Sequence, residues 1–416
     1  MKTVIMAGGK GTRIASVNAE VPKPMIEILG KPILEYQLDC LKTQGYRDII
    51  LVIGHLGHVI RDYFGDGERF GVHISYIEET EPLGTAGALY LLKDQLTEDF
   101  LLLCGDIIFD IDLRRFCAAH KKNGGIATLF THPNSHPYDS GIIKADDRGR
   151  VTDWLHKEDE RLWYRNRVNA GLHLLSPRIF GGELFQTLKK VDLDREVLKP
   201  LIPTGELYVY DSPEYVKDMG TPDRFYSVTE DIRTGKVQSK NLSRPQKCVF
   251  LDRDGTINKY VGFLRDIDDF ELLPGAAEAI RRINESGYLC IVVTNQPVIA
   301  RGEVTEAALR EIHNKMETLL GREGAYIDGL YYCPHHPHKG YEGEIPELKI
   351  DCACRKPKPG MLLTAAEDFH IDLSASYMIG DSGADMQCGE AAGCRCLQVG
   401  PEGDFHTLSS AVSTII

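Results

Sequence analysis

The strongest constraint on this chain is that it opens a short apolar strand into a phosphate-type loop twice. Residues 3–7 read TVIMA and break into Gly8-Gly9-Lys10-Gly11-Thr12-Arg13. Residues 248–251 read CVFL and break into Asp252-Arg253-Asp254-Gly255-Thr256. Such a run, stopped by glycine or carboxylate, reads as a buried strand whose C-terminal end carries chemistry. Similar runs at 49–53, 100–103, 288–293 and 378–379 are separated by helical patterns such as 33–44. That alternation predicts the α/β class, with parallel sheets covered on both faces by helices. One core rarely outgrows ~250–300 residues, so 416 residues fit two doubly wound domains. The polar, basic stretch at 234–247, TGKVQSKNLSRPQK, separates them. The expected organisation is a first domain at 1–234, a linker at 235–246 and a second domain at 247–416.

Charge and cysteine content narrow the partners. The formal net charge is -13, from 61 acidic and 48 basic side chains. An acidic surface disfavours non-specific binding to nucleic acid or an anionic membrane, but not small anionic ligands. No apolar run reaches the ~18 residues of a membrane span, and MKTVIMAGGKG lacks the apolar region of a signal peptide. A cytoplasmic protein is expected, with no nucleic-acid or membrane partner; a homo-oligomer is compatible with the sequence. With an odd 11 cysteines and no export signal, a disulfide framework is not expected.

In the first half, three glycines let backbone N–H groups approach a phosphate chain, and Lys10 and Arg13 add positive charge. Pro22-Lys23-Pro24 holds a lysine on a stiff segment. Gly84-Thr85-Ala86-Gly87 forms a second glycine loop. Cys104-Gly105-Asp106 ends a strand with a carboxylate, and Asp218-Met219-Gly220-Thr221-Pro222 supplies another. Two carboxylates with phosphate oxygens make a natural Mg²⁺ site.

These five motifs, in this order, resemble the sugar-1-phosphate nucleotidyltransferase family over residues 1–232. The resemblance implies a Rossmann-like domain in which Gly8, Gly9, Gly11, Thr12 and Arg13 hold the nucleotide phosphates. It implies that Lys23 contacts the triphosphate or transition state, that Gly84 and Thr85 face the base or ribose, and that Asp106 and Asp218 bind Mg²⁺. Lys157 would grip the sugar phosphate, although His156-Lys157-Glu158 departs from the family's glutamate-lysine-proline text. Asn169 and Gly171 would line the sugar site. The resemblance further implies Arg13 and Lys23 as the catalytic cations.

In the second half, Asp252 and Asp254 stand one residue apart, so that one can attack phosphorus and the other can handle the leaving-group proton. Thr294-Asn295-Gln296, Arg355-Lys356-Pro357 and Gly380-Asp381, with Asp385 beyond, follow downstream. Together they resemble the haloacid-dehalogenase (HAD) phosphatase superfamily over residues 247–400. The resemblance implies Asp252 as nucleophile and Asp254 as general acid and base. Thr294 and Lys356 would bind the phosphoryl group beside Asn295, and Arg355 would contact substrate. Asp252, Asp381 and the Asp254 carbonyl would hold Mg²⁺. Ser382 stands where some relatives carry a second aspartate, which leaves open whether Asp385 supplies it.

Cys333-Pro334-His335 and Cys352-Ala353-Cys354 can pinch one ion from two segments. Four sulfur and nitrogen ligands suit structural Zn²⁺; His336 or His338 could stand in for His335. This loop resembles two phosphatase groups, one acting on heptose 1,7-bisphosphate and one on histidinol phosphate. The fusion favours the first, because stripping carbon 7 leaves the 1-phosphate that a nucleotidyltransferase accepts. The first half is most similar to heptose 1-phosphate guanylyltransferases, which implies GTP and heptose phosphates as substrates and a nucleotide-activated heptose for cell-surface polysaccharide.

Overall fold

The computed structural model describes residues 1–9 and 20–416, which form two compact units. Lys10, Gly11, Thr12 and Arg13 therefore lie outside the described residues. The first unit comprises Met1–His132, Ile143–Trp154 and Asn169–Asn241; the second comprises Pro133–Ile142, Leu155–Val168 and Leu242–Ile416.

In the first unit, β1 (Thr3–Met6), β2 (Asp48–Ile53), β3 (His73–Glu78) and β4 (Phe100–Cys104) lie in the order β3-β2-β1-β4, all parallel. Their side chains alternate between two apolar layers. Ile5, Leu51 and Leu103 enter one, while Val4, Ile50 and Leu102 enter the other. Both faces are dry, which is why these strands read as unbroken apolar runs. Strand order reverses at β1, so a crevice opens beyond the C-terminal ends of β1 and β4. β5 (Ile107–Asp110) follows the turn that carries Asp106 and pairs antiparallel with β7 (Tyr215–Asp218), with Ile107 opposite Asp218. β6 (Val168–Leu175) pairs antiparallel with β4. Helix α1 (Ile33–Thr43) buries Ile33, Leu34, Leu38 and Leu41, and its buried Gln37 fixes the Asp106 turn. Gln37 Nε2 donates to the carbonyls of Cys104 (2.9 Å) and Ile107 (2.8 Å).

The chain leaves this unit through α2 (Pro222–Arg233) and a four-residue helix, α3 (Lys236–Ser239). Val237 of α3 is buried with Ile28, Ile33, Tyr215 and Val228. The stretch expected as a linker is thus partly packed, because its two apolar side chains, Val237 and Leu242, are both buried.

The second unit repeats the scheme. β8 (Cys248–Leu251), β9 (Leu289–Asn295), β10 (Gly329–Cys333), β11 (Tyr377–Gly380) and β12 (Arg395–Gln398) lie in the order β10-β9-β8-β11-β12, all parallel. Val249 and Leu251 face one apolar layer, Cys248 and Phe250 the other. The switch point falls between β8 and β11, beside Asp252 and Asp381. Helix α4 (Ala276–Glu285) buries Ala276, Ala279, Ile280 and Ile283, an i, i+3, i+4, i+7 stripe.

Segments 133–142 and 155–168 lie inside the stretch read from sequence as the first domain, yet they pack in this second unit. The reason is a polar lock on α5 (Glu306–Arg322). Arg167 donates to Glu317 at 3.3 Å, and both side chains are only 4% exposed. Thr318 Oγ1 accepts from the Tyr164 N–H (2.9 Å) and donates to its carbonyl (3.1 Å). No local sequence pattern announces a pair 150 residues apart.

Candidate active sites

The crevice of the first unit encloses a cavity of about 330 Å³. Gly8, Gly9, Lys23, Gly84, Thr85 and Asp106, all singled out from sequence, line it. Lys23 follows Pro22, whose φ is -65°, and its Nζ donates to Asp106 Oδ2 at 2.5 Å. Asp218 sits on the neighbouring strand end, where the Met219 N–H donates to the Asp106 carbonyl at 2.8 Å. Burial pushes the Asp218 carboxyl up, but the Arg224 guanidinium, 2.8 Å from both oxygens, outweighs it and holds the carboxyl below its usual range. Arg224 came from no motif, since it stands six residues on, in α2. Two carboxylates and a lysine at one sheet edge can hold a divalent cation against a phosphate chain.

The sugar-site candidates divide. Asn169 Oδ1 takes hydrogen bonds from His173 Nε2 (3.1 Å) and the Gly171 N–H (3.3 Å), and His173 lines the cavity. Burial pushes the His173 imidazole down to about 4, so it is neutral. Thr85 Oγ1 accepts from the Leu193 N–H at 2.7 Å, tying the glycine loop to a cavity-lining segment. Lys157 stands exposed on the turn after Leu155 and is not among the residues lining the cavity. Glu79 and His173 line the cavity without having been picked out from sequence.

In the second unit, a cavity of about 330 Å³ gathers Asp252, Asp254, Thr294, Asn295, Arg355, Lys356 and Asp381, with Asp385 beside them. Every phosphatase residue singled out from sequence therefore lines one space. Lys356, buried, reaches Asp252 Oδ1 (2.7 Å) and Asp385 Oδ1 (2.6 Å). Asn295 braces this lysine from both sides, donating to its carbonyl (3.0 Å) and accepting from its N–H (3.1 Å). Burial pushes the Asp252 carboxyl up to about 7, with Lys356 opposing and Asp385 adding to the rise. Burial, then Asp385, pushes Asp381 up to about 6. Asp254 goes the other way: burial raises it, but Arg253, Asn258 and Gln296 hold it below its usual range. Arg253 is completely buried and clamps Asp254 at 2.8 Å, which aims the second carboxylate. Gly255 has φ +84°, and a Cβ there would sit 2.0 Å from Asp381 Oδ2, so only glycine lets the two motifs meet.

Asp385 is where the sequence left a question. It caps α6 (Gly383–Ala392), accepting from the Ser382 N–H (3.1 Å) and hydroxyl (2.6 Å). Its carboxylate also lies within 4.8 Å of ligand atoms of Asp252 and Asp381. Three crowded carboxylates, two with raised pKa, form a donor set suited to a divalent cation.

Cys333, His335, Cys352 and Cys354 converge nearby. Sulfur–sulfur distances are 3.3–3.5 Å, and His335 Nδ1 lies 3.3 Å from Cys354 Sγ. Tetrahedral zinc with Zn–S near 2.3 Å has ligand edges of about 3.8 Å, so this set is close to pre-formed. All four are unbridged by disulfides. His336 Nδ1 faces the His338 carbonyl at 3.3 Å instead, so His335 is the histidine brought to the cysteines. Arg355 donates to the His335 carbonyl at 3.2 Å, which ties the cysteine loop to the phosphatase cavity.

Comparisons with known proteins match the two halves of the chain separately. Residues 2–235 match the nucleotidyl transferase family, and residues 353–404 match a HAD-hydrolase-like family. The D-glycero-beta-D-manno-heptose-1,7-bisphosphate 7-phosphatase of Salmonella typhi is 46% identical over 151 residues, 36% of this chain and 78% of that protein. The enzyme of the same name from Escherichia coli K12 is 45% identical, covering 36% and 77%. A Bacillus anthracis protein named as a glucose-1-phosphate thymidylyltransferase shares the fold, at 20% identity and a TM-score of 0.50 over 56% of this chain and 96% of its own. No helix among the described residues is long and apolar enough to cross a membrane. The chain belongs to the nucleotidyl transferase family in its first half and, in its second, to the HAD-like heptose-bisphosphate 7-phosphatases.

Proposed function

We propose that the chain is a bifunctional enzyme of nucleotide-activated heptose synthesis. Residues 247–416 remove the 7-phosphate of D-glycero-D-manno-heptose 1,7-bisphosphate, and residues 1–234 transfer GMP from GTP to the resulting heptose 1-phosphate, giving GDP-heptose and pyrophosphate. The observation that carries this reading is the pairing itself. A heptose bisphosphatase cavity shares its chain with a nucleotidyl transferase fold, and the product of the first is the acceptor class of the second. Such substrates place the enzyme in the cytoplasm.

In the phosphatase reaction, a carboxylate oxygen of Asp252 attacks phosphorus and forms an aspartyl phosphate as the bond to the C7 oxygen breaks. Asp254 gives that oxygen its proton, then takes one from the water that releases phosphate. Lys356 and Thr294 bind the phosphoryl oxygens, and Arg355 contacts the rest of the substrate. In the transferase reaction, an oxygen of the sugar 1-phosphate attacks the α-phosphorus and pyrophosphate leaves. Gly8, Gly9, Gly11, Thr12 and Arg13 hold the phosphates, and Lys23 stabilises charge on the transferring group. Gly84 and Thr85 face the nucleoside; Asn169 and Gly171 face the sugar phosphate. Asp106 and Asp218 would hold one Mg²⁺. Asp252, Asp381 and the Asp254 carbonyl would hold another, with Asp385 next to it. When bound, Mg²⁺ offsets the repulsion between anionic nucleophile and anionic phosphate.

Cys333, His335, Cys352 and Cys354 would hold structural Zn²⁺. Zinc removal is expected to lower the melting temperature of the second unit by about 10 °C, the shift that a loss of roughly 4 kcal/mol produces in a domain of this size. Calorimetry on protein verified metal-free checks it; unchanged melting of the second unit would contradict a structural site.

The phosphatase assignment is tested by ³¹P NMR with each anomer of the bisphosphate and with histidinol phosphate. Loss of the C7 resonance with retention of the C1 resonance is expected. Faster hydrolysis of histidinol phosphate would overturn the heptose reading.

A further inference from the structure

One buried polar cluster serves neither reaction directly: the lock that holds residues 133–142 and 155–168 on α5. Both segments lie inside the nucleotidyl transferase match at 2–235, whereas the α5 residues that hold them, Glu317, Thr318 and Gly321, lie outside it. Glu317 Oε2 accepts from the Asn166 N–H at 3.0 Å and from Arg167 Nη1 at 3.3 Å. Arg167 also donates to the carbonyls of Ile327 (3.5 Å) and Asp328 (3.2 Å), beyond the end of α5. Asn166 passes the hold to the other segment. Its side chain donates to the Asn134 carbonyl (2.7 Å) and accepts from the Asn134 N–H (3.1 Å). One further contact is steric. A Cβ at Gly321 would lie 2.7 Å from Pro137 Cγ. Glycine is a poor helix former, and the close approach of Pro137 is what requires it in the last turn of α5.

The lock adjoins the sugar-site residues along the chain. β6 begins at Val168, which pairs with Ile142 and is buried with Ile142 and Tyr164. Asn169 follows immediately, and its Oδ1 accepts from the Gly171 N–H and from His173, which lines the nucleotide cavity. The register at the head of β6 is therefore set where Arg167 and Tyr164 are held. A buried charge that loses its counter-ion shifts towards water. For Arg167 that shift moves the head of β6, two residues before Asn169.

We propose that α5, which belongs to the phosphatase half, is a positioning element of the transferase: Glu317 and Gly321 fix the start of β6 and thereby place Asn169 and Gly171 against the sugar phosphate. This rests on the reading that Asn169 and Gly171 face that substrate.

The test is pyrophosphate release by the full chain, with heptose 1-phosphate and GTP varied separately, for the wild type, Glu317→Gln, Gly321→Ala and Asn169→Ala. Phosphate release from the bisphosphate and a melting curve are recorded on the same preparations. Glu317→Gln and Gly321→Ala should each raise KM for heptose 1-phosphate roughly 10-fold, while KM for GTP and the rate of phosphate release stay within about twofold. Adding Arg167→Met to Glu317→Gln should restore most of the loss, because no charge is then stranded and the glutamine oxygen still accepts from the Asn166 N–H. Should Glu317→Gln not fold, Gly321→Ala carries the test, since alanine strengthens the helix while its Cβ displaces Pro137. A raised KM for heptose 1-phosphate in Asn169→Ala, with none in the two α5 variants, overturns the role of α5 alone. Equal loss of both activities in the α5 variants overturns it too, in favour of general destabilisation. An unchanged KM for heptose 1-phosphate in Asn169→Ala overturns the sugar-site reading and this inference together.

Discussion

Asp252→Asn is expected to lower phosphate release from heptose 1,7-bisphosphate by roughly 10³-fold or more, because an amide cannot form the acyl phosphate. The substitution is nearly isosteric in a buried position, and Lys356 keeps its contact with Asp385 at 2.6 Å. Removing one of three crowded carboxylates also relieves repulsion around Asp381 and Asp385, so the fold should survive. Pyrophosphate release from heptose 1-phosphate plus GTP should stay within about twofold of the wild type, since none of the first-unit cavity residues is altered. The two rates, measured on one preparation with a melting curve as control, decide the matter. Loss of both activities in a folded variant would contradict two chemically separate sites.

Lys23→Met should produce the mirror result. Lys23 Nζ is bonded to Asp106, its charge also bears on Asp218, and the two flanking prolines limit where the ammonium can go. A fixed cation aimed at charge that develops during transfer is commonly worth about 10²–10³ in kcat. Methionine keeps the length of the side chain and removes the charge. A fall of that size in kcat for pyrophosphate release, with phosphate release untouched, is the expected outcome. A change confined to KM for GTP would instead assign Lys23 to ground-state binding.

The sequence was most legible where chemistry sits at the end of a strand. Gly8, Asp106, Asp252 and Asp381 each follow a short apolar run, and the parallel order of those strands brings the runs together at the two switch points. The cysteine loop was legible for a different reason, since ligand spacing is itself a local pattern; only the choice among His335, His336 and His338 needed coordinates. What stayed hidden depends on contacts between distant residues. Arg224 and Arg253 set the ionisation of Asp218 and Asp254, yet an arginine near an aspartate is unremarkable in text. Glu79 is one of several acidic residues at 78–81, and only its burial under Gly8 distinguishes it. The packing of 155–168 on α5 turns on Arg167 and Glu317, which no periodicity connects. Lys157 follows the departure from its family's text: the residue is exposed and outside the cavity lining.

The most direct measurement is one incubation of the full chain with heptose 1,7-bisphosphate, GTP and Mg²⁺, with products identified by mass spectrometry over time. Heptose monophosphate should rise first and then fall as GDP-heptose and pyrophosphate accumulate, and omitting GTP should stop the sequence at the monophosphate. Monophosphate that persists in the presence of every nucleoside triphosphate, or a nucleotide sugar that still carries its 7-phosphate, would contradict the proposed sequence of reactions.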